Sequence, residues 1–335
     1  MKQSIFIVLA LCAILALAGC GPAQNPTQTD PFIGGTKGIV MAFMPGAPPA
    51  EVYDGGKLPF TVNVQLDNQG ESDVGIDATN SNDHFALVQI IGINPAQLGY
   101  PETDKTFEQE GITLSGARRL SDGSIITGAK NIITFDGYNY LPDEAGNTQR
   151  DLRANICYDY STRTTTVVCI KDKVLENIQD SSICTLGGVK EVKNSGAPVH
   201  ITSVSEQPGG QNKIFVTFTI ENVGTGDIFR RSTTQLLSSN NPCDTSLTNP
   251  NRNWVHVKVS LGDDTTTNLI QCPQMGNSNE GDIQMFQGAA ATMTCTIQTN
   301  PQNNQIYTDS LRINLEYTYH DFIQTQLLVR HYSAG

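Results

Sequence analysis

Cysteine is the residue type best able to do chemistry in this chain, and its eight copies fall into two classes. The first is N-terminal. Leu17-Ala18-Gly19-Cys20 reads as a lipobox, preceded by a positive Lys2 and by an apolar run from Ile5 to Ala18 that is short for a bilayer span. The small Ala18 and Gly19 suit a narrow peptidase subsite. Removal of residues 1–19 as a signal peptide would leave Cys20 as the new N-terminus, acylated through its sulfur. An ordinary export signal with an incidental Cys20 would send the chain to the same side of the membrane. Cys12 leaves with the signal.

The second class is Cys157, Cys169, Cys184, Cys243, Cys272 and Cys295, an even set that in an exported protein reads as three disulfides. Tyr160-Ser161-Thr162-Arg163-Thr164-Thr165 has the composition of a hairpin turn, and an apex at Arg163 would bring Cys157 opposite Cys169. Cys272–Cys295 is the natural pair within the second half. That leaves Cys184–Cys243, which would fix an interdomain angle. Swapped pairings among Cys157, Cys169 and Cys184 stay open. Each bond would contribute about 2–4 kcal/mol through the unfolded state. No C-x-x-C and no Cys/His grouping of zinc spacing occurs, so no metal site and no cofactor is expected.

Other reactive side chains are sparse. No nucleophile elbow, zincin, phosphate-loop, dinucleotide or EF-hand motif occurs, and no enzymatic activity is expected. The five histidines, His84, His200, His256, His320 and His331, are scattered. His256 falls on the polar face of Trp254–Val259 as a solvated strand residue, and His320-Asp321 reads as a hairpin tip. One loop stands out: Asp136, Tyr138, Asn139, Tyr140 and Asp143 combine oxygen ligands with aromatics, as calcium or carbohydrate loops do, although hairpin chemistry alone explains them. Gly262-Asp263-Asp264-Thr265 is a second acidic loop of the same kind.

The elements that must position these residues are strands. Phe60–Leu66 alternates apolar and polar residues and runs into Asp67-Asn68-Gln69-Gly70; Ile214–Ile220 does the same and runs into Glu221-Asn222-Val223-Gly224. Leu152-Arg153-Ala154-Asn155-Ile156-Cys157-Tyr158-Asp159-Tyr160 matches Leu311-Arg312-Ile313-Asn314-Leu315-Glu316-Tyr317-Thr318-Tyr319 in the pattern L-R-x-N-(I/L)-x-Y-x-Y. The two matches are nearly in register, which implies a duplicated domain. Further strands are expected at Gly38–Phe43, Phe85–Ile93, Asn131–Phe135, Thr165–Ile170, Val199–Val204, Trp254–Leu261, Ala291–Ile297 and Gln326–Arg330. Val174–Gln179 could form a short helical turn. The expected fold class is all-β: two tandem immunoglobulin-like antiparallel β-sandwiches over 34–172 and 197–335, joined by a connector at 173–196.

Composition supports that reading. The hydrophobic fraction of 38% suffices for sandwiches that bury one face of each strand, and charged residues make up only 16%. The formal net charge of −12 argues against nucleic acid and against an anionic lipid surface as partners. No second apolar run reaches spanning length, so attachment would rest on the lipid at Cys20 alone, which needs more than one acyl chain to hold firmly. Residues 20–33, rich in Pro, Gln and Thr, would form a tether reaching at most roughly 40 Å.

The strand followed by acidic-Asn-x-Gly in both halves resembles the CARDB-type and related immunoglobulin-like modules of prokaryotic cell-surface proteins. The cysteines around Tyr-x-Tyr, followed by Gly196-Ala197-Pro198-Val199 and a second Asn-x-Gly strand, are similar to two-domain exported lipoproteins of archaeal type. The resemblance implies adhesive, spacer or assembly roles with envelope or surface proteins or polymers as partners. It leaves outside the analogy the loops at 77–84, 95–110 and 236–252, which lengthen each repeat. The function expected is a lipid-anchored, outward-facing interaction, spacer or envelope-assembly module without catalysis. The alternative is a lipid-anchored capture protein whose loops at 77–110 and 136–147 take a sugar, peptide or metal for uptake.

Overall fold

Strand-forming alternation dominates the chain, and the computed structural model is all-β. It describes residues 30–75, 86–101, 105–175, 183–231, 243–262, 270–300 and 305–332. The expected signal peptide at 1–19, Cys20, His84, Asp263-Asp264-Thr265, the loop at 77–84 and most of the helical turn expected at Val174–Gln179 lie outside the described residues. Among the described residues, no helix is long and apolar enough to cross a membrane.

The principal strands of the first half are β1 (Ile39–Phe43), β2 (Phe60–Asn68), β3 (Ala86–Ile91), β4 (Glu108–Glu110), β5 (Lys130–Tyr138) and β6 (Thr148–Lys171). Those of the second half are β7 (Val199–Gly210), β8 (Lys213–Asn222), β9 (Trp254–Leu261), β10 (Glu280–Gln284), β11 (Ala291–Gln298) and β12 (Ile306–Arg330). Pairing repeats strand for strand. In the first half β1-β2-β5 form one small sheet; in the second β7-β8-β11 form another, flanked by Gly188–Lys190 and Ile270–Gln271. The registers correspond: Ile39 lies opposite Asn68 and Val62 opposite Phe135, as Val199 lies opposite Asn222 and Val216 opposite Cys295.

The remaining principal strands build one central sheet in the order β10-β9-β12-β6-β3-β4. Read outward from the middle, each half contributes its long strand, then the strand that pairs with it, then a short edge. The two halves on either side of the connector therefore share a sheet, and Phe32–Gly335 form one compact unit. The connector itself is stitched in: Gly188–Lys190 pairs with β7, and Lys193-Asn194 pairs with β6.

The hairpin expected at Arg163 does not form. Tyr160–Thr165 contains no Gly, Pro or Asn, and its β-branched threonines favour extension, so β6 runs straight through from Thr148 to Lys171. It pairs antiparallel with β12 from Thr148/Val329 to Lys171/Ile306. His320 is likewise no hairpin tip; it lies buried in β12 opposite Cys157. At about 3.3 Å per residue along an extended strand, Cys157 and Cys169 lie too far apart to bond. Cys157 instead bonds Cys243, and Cys169 bonds Cys184, correcting the expected Cys157–Cys169 and Cys184–Cys243 pairs; Cys272 bonds Cys295. The bond between the halves therefore starts from the central sheet rather than from the connector.

One face of the central sheet carries Tyr158, Tyr160, Tyr317 and Tyr319, all buried, with Tyr160 opposite Tyr317 and Tyr158 opposite Tyr319. They pack edge to face along and across the strands, with centroids 5.5–6.2 Å apart. These rings reach both small sheets. Tyr158 Oη accepts from Ile39 N at 3.1 Å, while Tyr317 Oη shares a 3.0 Å hydrogen bond with Thr162 Oγ1, which donates to Val199 O. Burial pushes the Tyr158 and Tyr317 hydroxyls far above the ordinary phenol range.

Each Asn-x-Gly turn is locked by the second tyrosine of the Tyr-x-Tyr pair in its half. Tyr160 Oη donates to Asn68 Oδ1 at 3.0 Å, Asn68 Nδ2 donates to Ser72 O at 2.8 Å, and Gly70 N donates to Asn68 Oδ1 at 3.3 Å. In the second half Tyr319 Oη donates to Asn222 Oδ1 at 3.3 Å, Asn222 Nδ2 to Gly226 O at 2.8 Å, and Gly224 N to Asn222 Oδ1 at 3.2 Å. A Cβ on Gly70 would strike Tyr160 Oη, and one on Gly224 would strike Tyr319 Oη. The motif glycine is there to let a tyrosine hydroxyl reach the turn.

Candidate functional site

In the loop after β5 the side chains singled out from sequence meet others of matching chemistry. It is anchored by a glycine turn: Gly55 N donates to Pro142 O at 2.9 Å, and Gly56 N to Tyr140 O at 2.8 Å. Just before that turn sits Asp54, 1% exposed. Its Oδ1 accepts from Tyr332 N at 2.8 Å; its Oδ2 accepts from Glu144 N at 3.0 Å and pairs with His331 Nδ1 at 2.8 Å. The Tyr332 amide, the His331 ring and the Glu144 amide together outweigh desolvation and hold the Asp54 carboxyl down at about 2. A neighbouring arrangement joins Tyr140 Oη to Glu144 Oε1 at 2.5 Å and Arg150 Nη2 to the same oxygen at 2.8 Å. Arg150 Nε also donates to Tyr140 Oη at 3.2 Å.

The five loop residues separate by role. Asp136 is exposed on β5 and accepts from Thr61 Oγ1 at 3.2 Å. Tyr138 is fully buried, stacked on Phe107 with centroids 4.8 Å apart, and so covers the core instead of offering a face to a ligand. Asn139 Nδ2 donates to Gly56 O at 2.9 Å, and its buried Oδ1 has no hydrogen-bond partner among the described residues. Tyr140 is buried, and desolvation raises its hydroxyl. Asp143 is exposed, 3.8 Å from His331 Nδ1.

Asp54, Asp143 and His331 each offer one ligand atom within 4.8 Å of the others, a set that could hold a hard divalent cation. Both Asp54 oxygens already accept hydrogen bonds and the His331 Nδ1 is spent on one of them. As it stands, the cluster is a clasp that ties the last described residues of the chain to the Asp54 turn. Sequence reading missed the pairing of Asp54 with His331, since a contact from one end of the chain to the other leaves no local pattern, and it missed Arg150, which lies near Glu144 but in no motif. Asp54-Gly55-Gly56 was the single available signal, and it reads only as a turn. On the far side of the loop, Asn94, Ala96, Gln97, Leu141 and Pro142 line an open depression of about 470 Å³.

A second polar cluster lies on β9 and β10. His256 pairs through Nδ1 with Asp282 Oδ1 at 2.8 Å and through Nε2 with Glu280 Oε1 at 3.1 Å. Burial lowers the imidazole pKa, but the two carboxylates outweigh it and the net shift is upward. His256 is therefore engaged at both ring nitrogens, not merely solvated. Arg230 lies over the Trp254 ring, 3.9 Å from its centroid.

No protein-family model matches this chain, and no curated protein matches it. Among solved structures, a crystal structure of envelope protein VP37 from White Spot Syndrome Virus matches 48% of this chain and 98% of its own, at 12% identity and a TM-score of 0.18. At that score the likeness carries no argument about fold or role.

Proposed function

We propose that this chain is a non-catalytic, outward-facing surface module, held at the membrane through a lipid on Cys20 and serving as an interaction, spacer or envelope-assembly unit. The observation that carries the reading is the set of three disulfides, which requires an oxidising compartment. One of them, Cys157–Cys243, ties the central sheet to the second half, as suits a part that must keep its shape under load. In this reading the duplicated halves are immunoglobulin-like sandwiches fused through their shared sheet. Envelope or surface proteins or polymers are its partners.

Membrane fractionation and intact mass test it. A chain beginning at an acylated Cys20 and carrying no free thiols supports the proposal, as does release of a Cys20→Ala variant from the membrane fraction. A chain that retains Met1, or thiols that react without reduction, overturns it.

A second reading, capture of a sugar, peptide or metal, is favoured by one observation: the depression at Asn94, Gln97 and Leu141 adjoins the loop that holds Asp143. A ligand there would raise the melting temperature by mass action, as RT ln(1 + [L]/Kd). Thermal scans with calcium, oligosaccharides and short peptides separate the two readings.

A further inference from the structure

The second small sheet is flanked at both edges, by Gly188–Lys190 beside β7 and by Ile270-Gln271 beside β11, and the first at neither among the described residues; the edge of interest is that of β5. In the second half the outer side of β11 is covered by Ile270-Gln271, which pair with Ile297 and Thr296 and are pinned by the adjacent Cys272–Cys295 bond. In the first half β5 ends its sheet, and no strand among the described residues pairs with its outer side. Open edges of this length invite pairing with another chain.

Backbone direction along β5 follows from its neighbours. Met44 N donates to Asn63 O and Asn63 N to Ala47 O, so Asn63 faces away from β5, and Val62, Val64 and Leu66 face it. Their partners are Phe135, Ile133 and Asn131. Asn68 N donates to Ala129 O in the same phase. The amides and carbonyls of Lys130, Ile132 and Thr134 therefore point off the sheet. Ile132 N accordingly donates to a side chain, Asn131 Oδ1, at 2.8 Å. Lys130, Ile132, Thr134 and Asp136 are all exposed, and Ile132 is 50% exposed.

This edge is complementary to itself. An antiparallel pairing of two β5 strands about a twofold axis at Ile133 sets Ile132 opposite Thr134, and Lys130 opposite Asp136 of the other copy. The pairs that would exchange backbone hydrogen bonds are those whose amides and carbonyls point outward. Opposite charges meet at both ends, and a β-branched pair fills the middle on each side. Within one copy Lys130 Nζ lies 3.1 Å from Asp67 Oδ2, and Asp136 accepts from Thr61 Oγ1, both on β2, so edge pairing would exchange each of these contacts for the opposite charge of the other copy. We propose that two copies of this chain associate through β5, joining their small sheets edge to edge.

The test is sedimentation equilibrium of the full chain in detergent, disulfides intact, from micromolar to several hundred micromolar. A reversible dimer is expected. Asp136→Lys, which sets Lys against Lys130 of the other copy, and Lys130→Asp, which sets Asp against Asp136, should each weaken it at least tenfold. The double variant Lys130→Asp/Asp136→Lys should restore it. Thr134→Pro removes an outward amide without touching the ladder to β2 and should also abolish pairing. A wild-type chain that stays monomeric throughout overturns the proposal. So does a dimer indifferent to the single changes, or one that the double exchange fails to recover.

Discussion

Thr318 Oγ1 donates to Asp159 Oδ1 at 2.5 Å across 159 residues of sequence. The two residues hold the same position in the repeated L-R-x-N-(I/L)-x-Y-x-Y motif, and they lie directly opposite each other in the central sheet. A motif residue that faces its own counterpart marks a pseudo-twofold axis, here running between β6 and β12. Both side chains are buried. Replacing Thr318 by Val keeps the shape and removes the hydroxyl donor from a buried carboxyl group. Loss of about 1–3 kcal/mol is expected, read as a lower urea midpoint with unchanged m-value.

The tyrosine locks on the two turns should behave as equivalents. Tyr160→Phe and Tyr319→Phe each remove one hydroxyl from an Asn-x-Gly turn and should each cost about 0.5–1.5 kcal/mol. In double-mutant cycles, Tyr160→Phe should couple with Asn68→Ala and Tyr319→Phe with Asn222→Ala, while the crossed combinations add. Coupling in the crossed pairs would contradict the assignment of each tyrosine to its own half.

Non-reducing proteolysis followed by mass spectrometry should yield linked peptides containing Cys157 with Cys243, Cys169 with Cys184, and Cys272 with Cys295. Replacing Cys169 and Cys184 by Ser opens a separation of 15 residues and should cost about 3 kcal/mol. Replacing Cys157 and Cys243 opens a separation of 86 and should cost about 4–5 kcal/mol. Equal costs for the two would argue that chain entropy is not the source of the stabilisation.

Two histidines should pull stability in opposite directions with pH. Burial, with help from Arg153 and Arg252, depresses the His320 pKa to about 4 despite nearby Asp227. Below about 6.5 the unfolded chain takes a proton that the folded one refuses, so this residue makes stability fall as pH drops from 6.5 towards 4. The full effect is about 3 kcal/mol, and it should vanish in His320→Gln. His256 is raised by Asp282 and Glu280, so its contribution is fully present below pH 6.5 and is lost as pH climbs through its folded value. Imidazole resonances followed by NMR should show His320 titrating near 4 and His256 above 6.5.

Much of the architecture was readable along the chain because the repeat and the alternation are local. Val62, Val64 and Leu66, like Val216, Phe218 and Ile220, announce a buried face by their spacing alone, and all six are buried. The stretch Tyr160–Thr165 was misread as a turn because turn and strand differ there by what lies opposite: Arg312–Tyr317 pair with it and hold it straight. That misreading carried the disulfides with it, since the expected Cys157–Cys169 bond depended on the chain reversing at Arg163. The candidate site was half visible. Asp136, Tyr138, Asn139, Tyr140 and Asp143 are consecutive enough to notice, yet Tyr138 turned inward because Phe60, Tyr100 and Phe107 surround it.

Sequence alone determined the strand-rich character, the duplication, the even set of thiols and the Asn-x-Gly turns, because each is written in spacing over a few residues. Tertiary structure decided that the halves share one sheet, that Cys157 reaches Cys243, and that Asp54 meets His331 across 277 residues. Such contacts depend on which long strand finds which partner. Four buried tyrosines at the seam of β6 and β12 join that sheet to both small sheets, a set of contacts that no single segment encodes.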